Sequence, residues 1–334
     1  MTFPQTRTDV SAVADRWPNF FIVGAPRAGT TSLHAYLRKI PSIYLPPIKE
    51  INFFSQFSPV EWPIPSIDDE NWYRGLFADA GDRPAVGDAT PTYLYDEGAA
   101  QRIFARIPGA KIIILLRDPI DRAYSHYLMA VNKGWEQRPF YQAVVEDHAA
   151  LPATLDARLL YVAFGQYYQQ VKRYIDLFGE QQVRTYLYEE LQHDRTPVVR
   201  DVCAFLQVPL PEHFVVDTSH RFNEYRRPRN VRLGKAVRFL VDEVFMAMLI
   251  RLLKRLRGGP LTRHVLSMWD MREAMIPLYE NLFFVPSPKP PMDPKAEEYL
   301  CGVYREDICQ LGELLGRDLR AWLRPSGLSK GTQR

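Results

Sequence analysis

Two short stretches of this 334-residue chain have residue types and spacing suited to holding phosphate-like anions. The first is Gly24-Ala25-Pro26-Arg27-Ala28-Gly29-Thr30-Thr31-Ser32. Four residues separate its two glycines, the spacing of a phosphate-binding loop. In such a loop backbone N–H groups and the positive end of the next helix cradle an anion, and glycine permits close approach. A nucleoside-triphosphate loop carries Lys and then Ser or Thr after the second glycine. Here Thr30 takes the Lys position, and the cation within the loop is Arg27. That weakens an ATPase or GTPase reading. The plainer alternative is a strand–turn–helix junction whose glycines only shape the turn.

The second stretch is Arg117-Asp118-Pro119-Ile120-Asp121-Arg122-Ala123-Tyr124-Ser125. A guanidinium at a strand end and a hydroxyl eight residues on can converge on one phosphate beside the glycine loop. Asp118 is alternatively the metal-holding acid of a nucleotide phosphotransferase, although Arg117 beside it would crowd a metal with a cation. The seven histidines and three cysteines include no His-x-x-x-His or Cys-x-x-Cys pair, so a structural zinc site has no support.

The elements that must position these groups can be read from periodicity. Asn19 to Gly24 is an apolar run ending in glycine, which predicts a buried strand, and Thr31 to Ile40 continues as a helix. Residues 41–80, rich in Pro and aromatics, read as ordered loop and short helix. Ala85 to Ala89 predicts a second short strand. Ala110 to Leu116 is the strongest strand pattern, ended by Arg117-Asp118-Pro119 and followed by a helix over 119–132. A helix over about 164–178, a strand over 182–188 and a helix over 196–206 follow, then helical patterns over 231–256 and about 296–315. Alternating strands and helices predict an α/β, P-loop-like three-layer fold. It has a central parallel sheet, helices on both faces and extra C-terminal helices. Both anion-binding stretches then fall at the carboxyl ends of strands, where such sheets bind ligands. Residues 1–18 read as an N-terminal lead-in, 19–325 as one domain and 326–334 as a flexible tail.

The pair GAPRAGTTSL and LLRDPIDRAYSHY resembles the two cofactor motifs of the sulfotransferase superfamily, whose members use 3′-phosphoadenosine 5′-phosphosulfate (PAPS). Lys49-Glu50-Ile51-Asn52-Phe53-Phe54 is similar to the segment that carries the base in heparan-sulfate-type carbohydrate sulfotransferases. Gly87-Asp88-Ala89-Thr90-Pro91-Thr92-Tyr93 resembles their next substrate-side segment. The stretch from Gly165 to Pro209 and the ending LLGRDLRAW resemble bacterial members. The resemblance implies that Arg27, Ala28, Gly29, Thr30, Thr31 and Ser32 hold the 5′-phosphosulfate. It implies that Arg117 and Ser125 bind the 3′-phosphate and that Glu50 is the general base. Arg226, Arg227 and Arg229 are the candidates for a basic segment that closes over the cofactor. Asp88, Phe53 and His126 are assigned to the substrate side, and His126 and His34 are alternative bases. The chain departs from the family pattern at Arg27, where Lys is usual. Arg stays charged and gives up no proton easily, so Arg27 is expected to clamp electrostatically. A second departure is Ala89, where some heparan-sulfate-type members carry Lys. Sulfuryl transfer by in-line displacement then rests on positioning and cations, with adenosine 3′,5′-bisphosphate (PAP) as product and no metal required.

Overall charge is only +3, but residues 221–263 carry twelve Lys and Arg against three acids. This segment reads as a basic lid, as a substrate-side helical insertion making peripheral membrane contact through 231–257, or as a plain scaffold helix. The chain carries no nucleic-acid motif, which argues against nucleic acid as partner. No export signal or membrane span is legible, and three cysteines suit a reducing compartment, so a cytoplasmic bacterial enzyme is expected, with peripheral membrane contact as the alternative. The expected acceptor is a small molecule, carbohydrate or lipid. A nucleotide phosphotransferase and a catalytically weak PAPS-binding protein remain as alternative functions, and oligomeric state is not legible.

Overall fold

Strand β1 (Phe20–Gly24) is apolar along its length and every residue in it is buried, as a strand covered on both faces must be. In the computed structural model, residues 16–56, 70–150, 158–210, 214–216, 225–229 and 281–324 are described. β1 is the centre of a five-stranded parallel sheet with β2 (Ile43–Tyr44), β3 (Ala85–Ala89), β4 (Lys111–Leu116) and β5 (Val183–Leu187). The strand order is β2-β3-β1-β4-β5. Phe20 stands opposite Gly87 of β3 and Lys111 of β4. The chain runs outward from β1 to β2, returns to β3, then crosses to β4 on the other side. Such a reversal opens a crevice over the carboxyl ends of the strands.

The flanking helices are α1 (Thr30–Leu37), α2 (Glu70–Gly75), α3 (Ala99–Arg106), α4 (Pro119–Lys133), α5 (Phe140–Ala150), α6 (Tyr167–Phe178), α7 (Tyr188–His193), α8 (Arg195–Leu206) and α9 (Pro294–Leu315). The predicted parallel α/β fold is therefore the observed one. β2 is a two-residue strand within the Pro-rich stretch that reads as loop. The start of the basic segment forms a small antiparallel pair, β6 (Arg226–Pro228) with β7 (Phe284–Pro286). The helix expected over 231–256 lies outside the described residues. Among the described residues, no helix is long and apolar enough to cross a membrane.

Two helix starts matter for the site. α4 begins with Pro119 in its first turn, and the Asp118 side chain caps it by accepting from the N–H groups of Ile120 (2.9 Å) and Asp121 (3.3 Å). α9 turns Leu300, Tyr304, Ile308 and Leu311 inward and packs against α4, α5 and α6. Beyond it, Arg324 returns to the start of α4. Its Nη2 donates to Asp118 Oδ2 at 2.8 Å and Asp121 Oδ1 at 2.6 Å, and its Nη1 bonds Glu297. The metal-holding alternative for Asp118 is thus corrected, since one of its oxygens caps a helix and the other takes a guanidinium.

The Asp118 side chain is only 4% exposed, so removing its partner strands a buried charge. Arg324→Ala should lower unfolding free energy by about 3 kcal/mol in urea titration.

Candidate active site

The loop after β1 is pinned to the neighbouring strand by Ala25 N–H donating to Leu115 O at 2.6 Å. Gly29 ends it at φ 94°, and a Cβ there would lie 2.9 Å from Tyr188 Cδ2, so glycine is required on both counts. α1 starts at the next residue. Ala28 has its methyl in the core, while Gly29, Thr30, Thr31 and Ser32 line a cleft of about 1050 Å³. Arg27 sits at φ 68°, a strained conformation for a long side chain. Its guanidinium reaches across the cleft, with Nε and Nη2 each 3.4 Å from Ser125 Oγ and Nη1 3.6 Å from Met129 Sδ. Burial, and then the neighbouring Arg117, push its pKa down to about 10.

Arg117, at the end of β4, is held from two sides. Its Nη1 donates to Arg27 O at 3.3 Å and its guanidinium lies 4.6 Å from the Tyr188 ring centre. The structure therefore brings together Arg27, Arg117 and Ser125 from motifs some ninety residues apart.

The Lys49–Glu50 segment hangs on the other neighbour of β1. Glu50 N–H donates to Ala89 O at the end of β3 (2.9 Å), and Glu50 and Asn52 adopt φ 64° and 58°. Asn52 fixes this shape: its Nδ2 donates to Glu50 O at 2.7 Å, and Thr92 Oγ1 donates to its Oδ1 at 2.8 Å. Ser55, Gln56 and Arg102 bind the next turn to Asp96. Glu50 and Lys49 both line the cleft. Lys49 Nζ donates to Thr31 Oγ1 at 2.9 Å, Thr30 Oγ1 at 3.3 Å and Glu50 Oε1 at 3.1 Å.

Several expectations are corrected. Asp88 is not on the substrate side. It is fully buried behind the cleft wall and accepts from Thr90 Oγ1 (2.7 Å), Tyr73 OH (2.9 Å) and Tyr93 OH (3.1 Å). Desolvation raises its pKa to about 6 against those three bonds. Phe53 stacks on Tyr73 with centroids 4.1 Å apart, within a cluster that includes Trp17 and Phe54, and does not line the cleft. His34 is buried and donates from Nε2 to Pro46 O (3.2 Å). Burial and Lys49 push its pKa down to about 3, so it is a packing residue. His126 does line the cleft, stacked on Phe164, but burial, Arg122 and Arg27 hold it well below the usual histidine range. It stays neutral there.

Arg226, Arg227 and Arg229 do not line the cleft. Arg226 donates to Asn281 Oδ1 (2.8 Å), and the β6–β7 register places Arg227 opposite the exposed Val285. A cation that does line the cleft is Lys289, four residues past Val285, on a strap tied to α4 by Tyr124 OH donating to Pro290 O at 2.9 Å. Much of the Lys289 residue is exposed, but burial of the amine, then Arg117 and Arg27, push it down to about 8. Lys133 and Arg158 line the cleft as well, their charges 4.6 and 5.7 Å from the Trp135 ring centre. Lys289 carries no motif signal. Lys49 is legible only as the neighbour of Glu50.

A family model described as "Sulfotransferase domain" matches residues 18–235. A solved sulfotransferase from Alicyclobacillus acidocaldarius is 32% identical, covers 93% of this chain and 100% of its own, and superposes with a TM-score of 0.67. The membrane-associated sulfotransferase kil1 of Dictyostelium discoideum is 34% identical over 36% of this chain and 24% of its own length. Bifunctional heparan sulfate N-deacetylase/N-sulfotransferase 4 of Mus musculus is 27% identical over 93% of this chain and 31% of its own. Mouse heparan sulfate glucosamine 3-O-sulfotransferase 6 is 27% identical over 62% of this chain and 58% of its own. The chain thus spans less than two thirds of the length of these curated relatives.

Asp88 generates a test of the wall behind the site. Its folded pKa of about 6 lies above the ordinary 3.8, so it stabilises the fold while protonated and loses that contribution as pH rises from about 4 to 6. Comparing Asp88→Asn with the parent by urea unfolding at pH 4 and pH 7, the difference should shift toward the variant by roughly 3 kcal/mol.

Proposed function

The chain belongs to the sulfotransferase domain family, and from that membership we propose that it moves a sulfuryl group from PAPS to a hydroxyl or amine of a carbohydrate acceptor. Glu50 takes the acceptor's proton. The observation that carries this reading is the charge of the cleft. Arg27, Lys49, Arg117, Lys133, Arg158 and Lys289 line it, and Glu50 is its one carboxylate among the described residues. PAPS supplies an activated sulfuryl group on a 5′-phosphate and a further phosphate on the 3′ oxygen.

The residues present fit that donor. The first-turn amides of α1, with Thr30, Thr31 and Ser32, face the cleft where a 5′-phosphosulfate needs donors. Arg117 and Ser125 hold the 3′-phosphate, and Lys289 covers it from the strap. Arg27, touching Ser125 and lying against Arg117, clamps between the two anionic ends. The donor set is guanidinium, ammonium and hydroxyl, which meets phosphate and sulfate charge without a metal. A nucleotide phosphotransferase is disfavoured because the acid it needs, Asp118, is committed to the α4 cap and Arg324. Relatives named for heparan sulfate support a carbohydrate acceptor.

Two outcomes test the reading. PAP should raise the melting temperature of the parent where magnesium-ATP does not. Glu50→Gln should keep PAP affinity but lower label transfer from PAPS to a carbohydrate panel by about 10²–10⁴-fold. Label moving to phenols or lipids and not to sugars would overturn the acceptor class. Lys289 loses its charge above about pH 8, so calorimetric PAP affinity should fall through pH 8–9.5. Lys289→Arg should flatten that fall, because guanidinium stays protonated.

A further inference from the structure

The loop's own cation does not face the loop. Arg27 is committed to Ser125 and Met129, on the α4 side of the cleft. The cation beside the start of α1 is Lys49, whose ammonium rests on the hydroxyls of Thr30 and Thr31 and on the Glu50 carboxylate. We propose that Lys49 is a catalytic residue that offsets the charge developing on the leaving phosphate oxygen, while Arg27 serves binding. This rests on the sulfotransferase reading above.

Three observations support the assignment. The first is how two adjacent side chains come to face one cleft. Consecutive residues of an extended chain point to opposite sides. Glu50 at φ 64° breaks that alternation, so Lys49 and Glu50 both line the cleft and touch at 3.1 Å. The strained backbone that presents the base therefore also presents the ammonium.

The second is chemistry. An ammonium is compact, with three rotatable donors, and fits between two hydroxyls and a carboxylate, where a planar guanidinium matches less well. The Lys49 side chain is 13% exposed, so its charge acts with little water around it.

The third is timing. In the transfer the acceptor's proton passes to Glu50, the acceptor oxygen or nitrogen bonds sulfur, and the bond from sulfur to the 5′-phosphate oxygen breaks with its electron pair left on that oxygen. As Glu50 takes the proton it becomes neutral and stops compensating Lys49. At the same moment negative charge grows on the leaving oxygen. The ammonium is thus better matched to the transition state than to the ground state, which is the condition for accelerating the step.

The experiment compares the parent with Lys49→Met and Lys49→Arg. Lys49→Met should bind PAPS, without acceptor, within about threefold of the parent, by calorimetry, while labelled transfer from PAPS falls about 10²–10³-fold. Lys49→Arg should recover about tenfold of that loss. A readout without turnover is PAP affinity in the presence of orthovanadate, a mimic of the five-coordinate sulfuryl group. Lys49→Met should lose the vanadate enhancement. Transfer within threefold of the parent, or a fall matched by an equal fall in PAPS affinity, would overturn the proposal and leave Lys49 as a ground-state contact. If the parent itself neither binds PAP nor transfers label, the sulfotransferase reading fails first, and this proposal falls with it.

Discussion

Holding like charges together is the constraint on which this cleft depends. Arg27, Lys49, Arg117 and Lys289 share it with one carboxylate among the described residues, Glu50. Three of these cations are kept in place mainly by uncharged groups. Arg117 rests on an aromatic ring and a backbone carbonyl, Arg27 on a hydroxyl and a sulfur, and Lys49 on two threonines beside Glu50. The repulsion is visible in two of them, since Arg27 and Lys289 are both pushed toward their neutral forms by burial and by neighbouring arginines. An anion with phosphate groups relieves that repulsion on entry, so its binding energy includes what the cations lose by being alone together.

The sheet makes the arrangement possible by giving β1 two different neighbours. β4 lies on one side and ends in Arg117, with Ser125 on the helix that follows. β3 lies on the other side and ends at Ala89, whose carbonyl carries the Lys49–Glu50 segment. The glycine loop emerges between them and touches both halves, Arg27 toward Ser125 and the threonines toward Lys49. Asp88 belongs to this scaffold. Buried under the end of β3 and bound by Tyr73, Tyr93 and Thr90, it fixes the wall from which Glu50 is hung. The cost of that buried carboxyl appears in its raised pKa.

What the sequence made legible was what sits within a few residues of itself. The strand, glycine turn and helix at Phe20 to Leu37 follow from local pattern, as does the cap and proline start of α4. The meeting of Arg27 with Ser125 needed only the rule that parallel strands gather their carboxyl ends. Where reading failed, the missing quantity was direction. Asp88 and Phe53 each stand three positions from a cleft residue in the chain, but their side chains turn inward, and no spacing says so. Arg226, Arg227 and Arg229 come from a segment whose charge was legible and whose aim was not. Lys289 lines the cleft instead, brought there by a strap sixty residues further on. Lys49 was hidden by a positive φ at Glu50, which reverses the alternation that sequence reading assumes.

That positive φ has a further consequence for the loop. Read one position at a time, Arg27 looks like the loss of a catalytic lysine. Read in three dimensions, the loop has its ammonium from another element, and the arginine is free to bridge to α4. Neither arrangement stands alone. Lys49 reaches the threonines because Glu50 is turned, and Glu50 is turned because Asn52 closes on its carbonyl and Thr92 closes on Asn52. The Glu50 carboxylate and the Lys49 ammonium are therefore positioned by one short chain of hydrogen bonds. A change at Asn52 acts on both together, although Asn52 itself has no place in the chemistry.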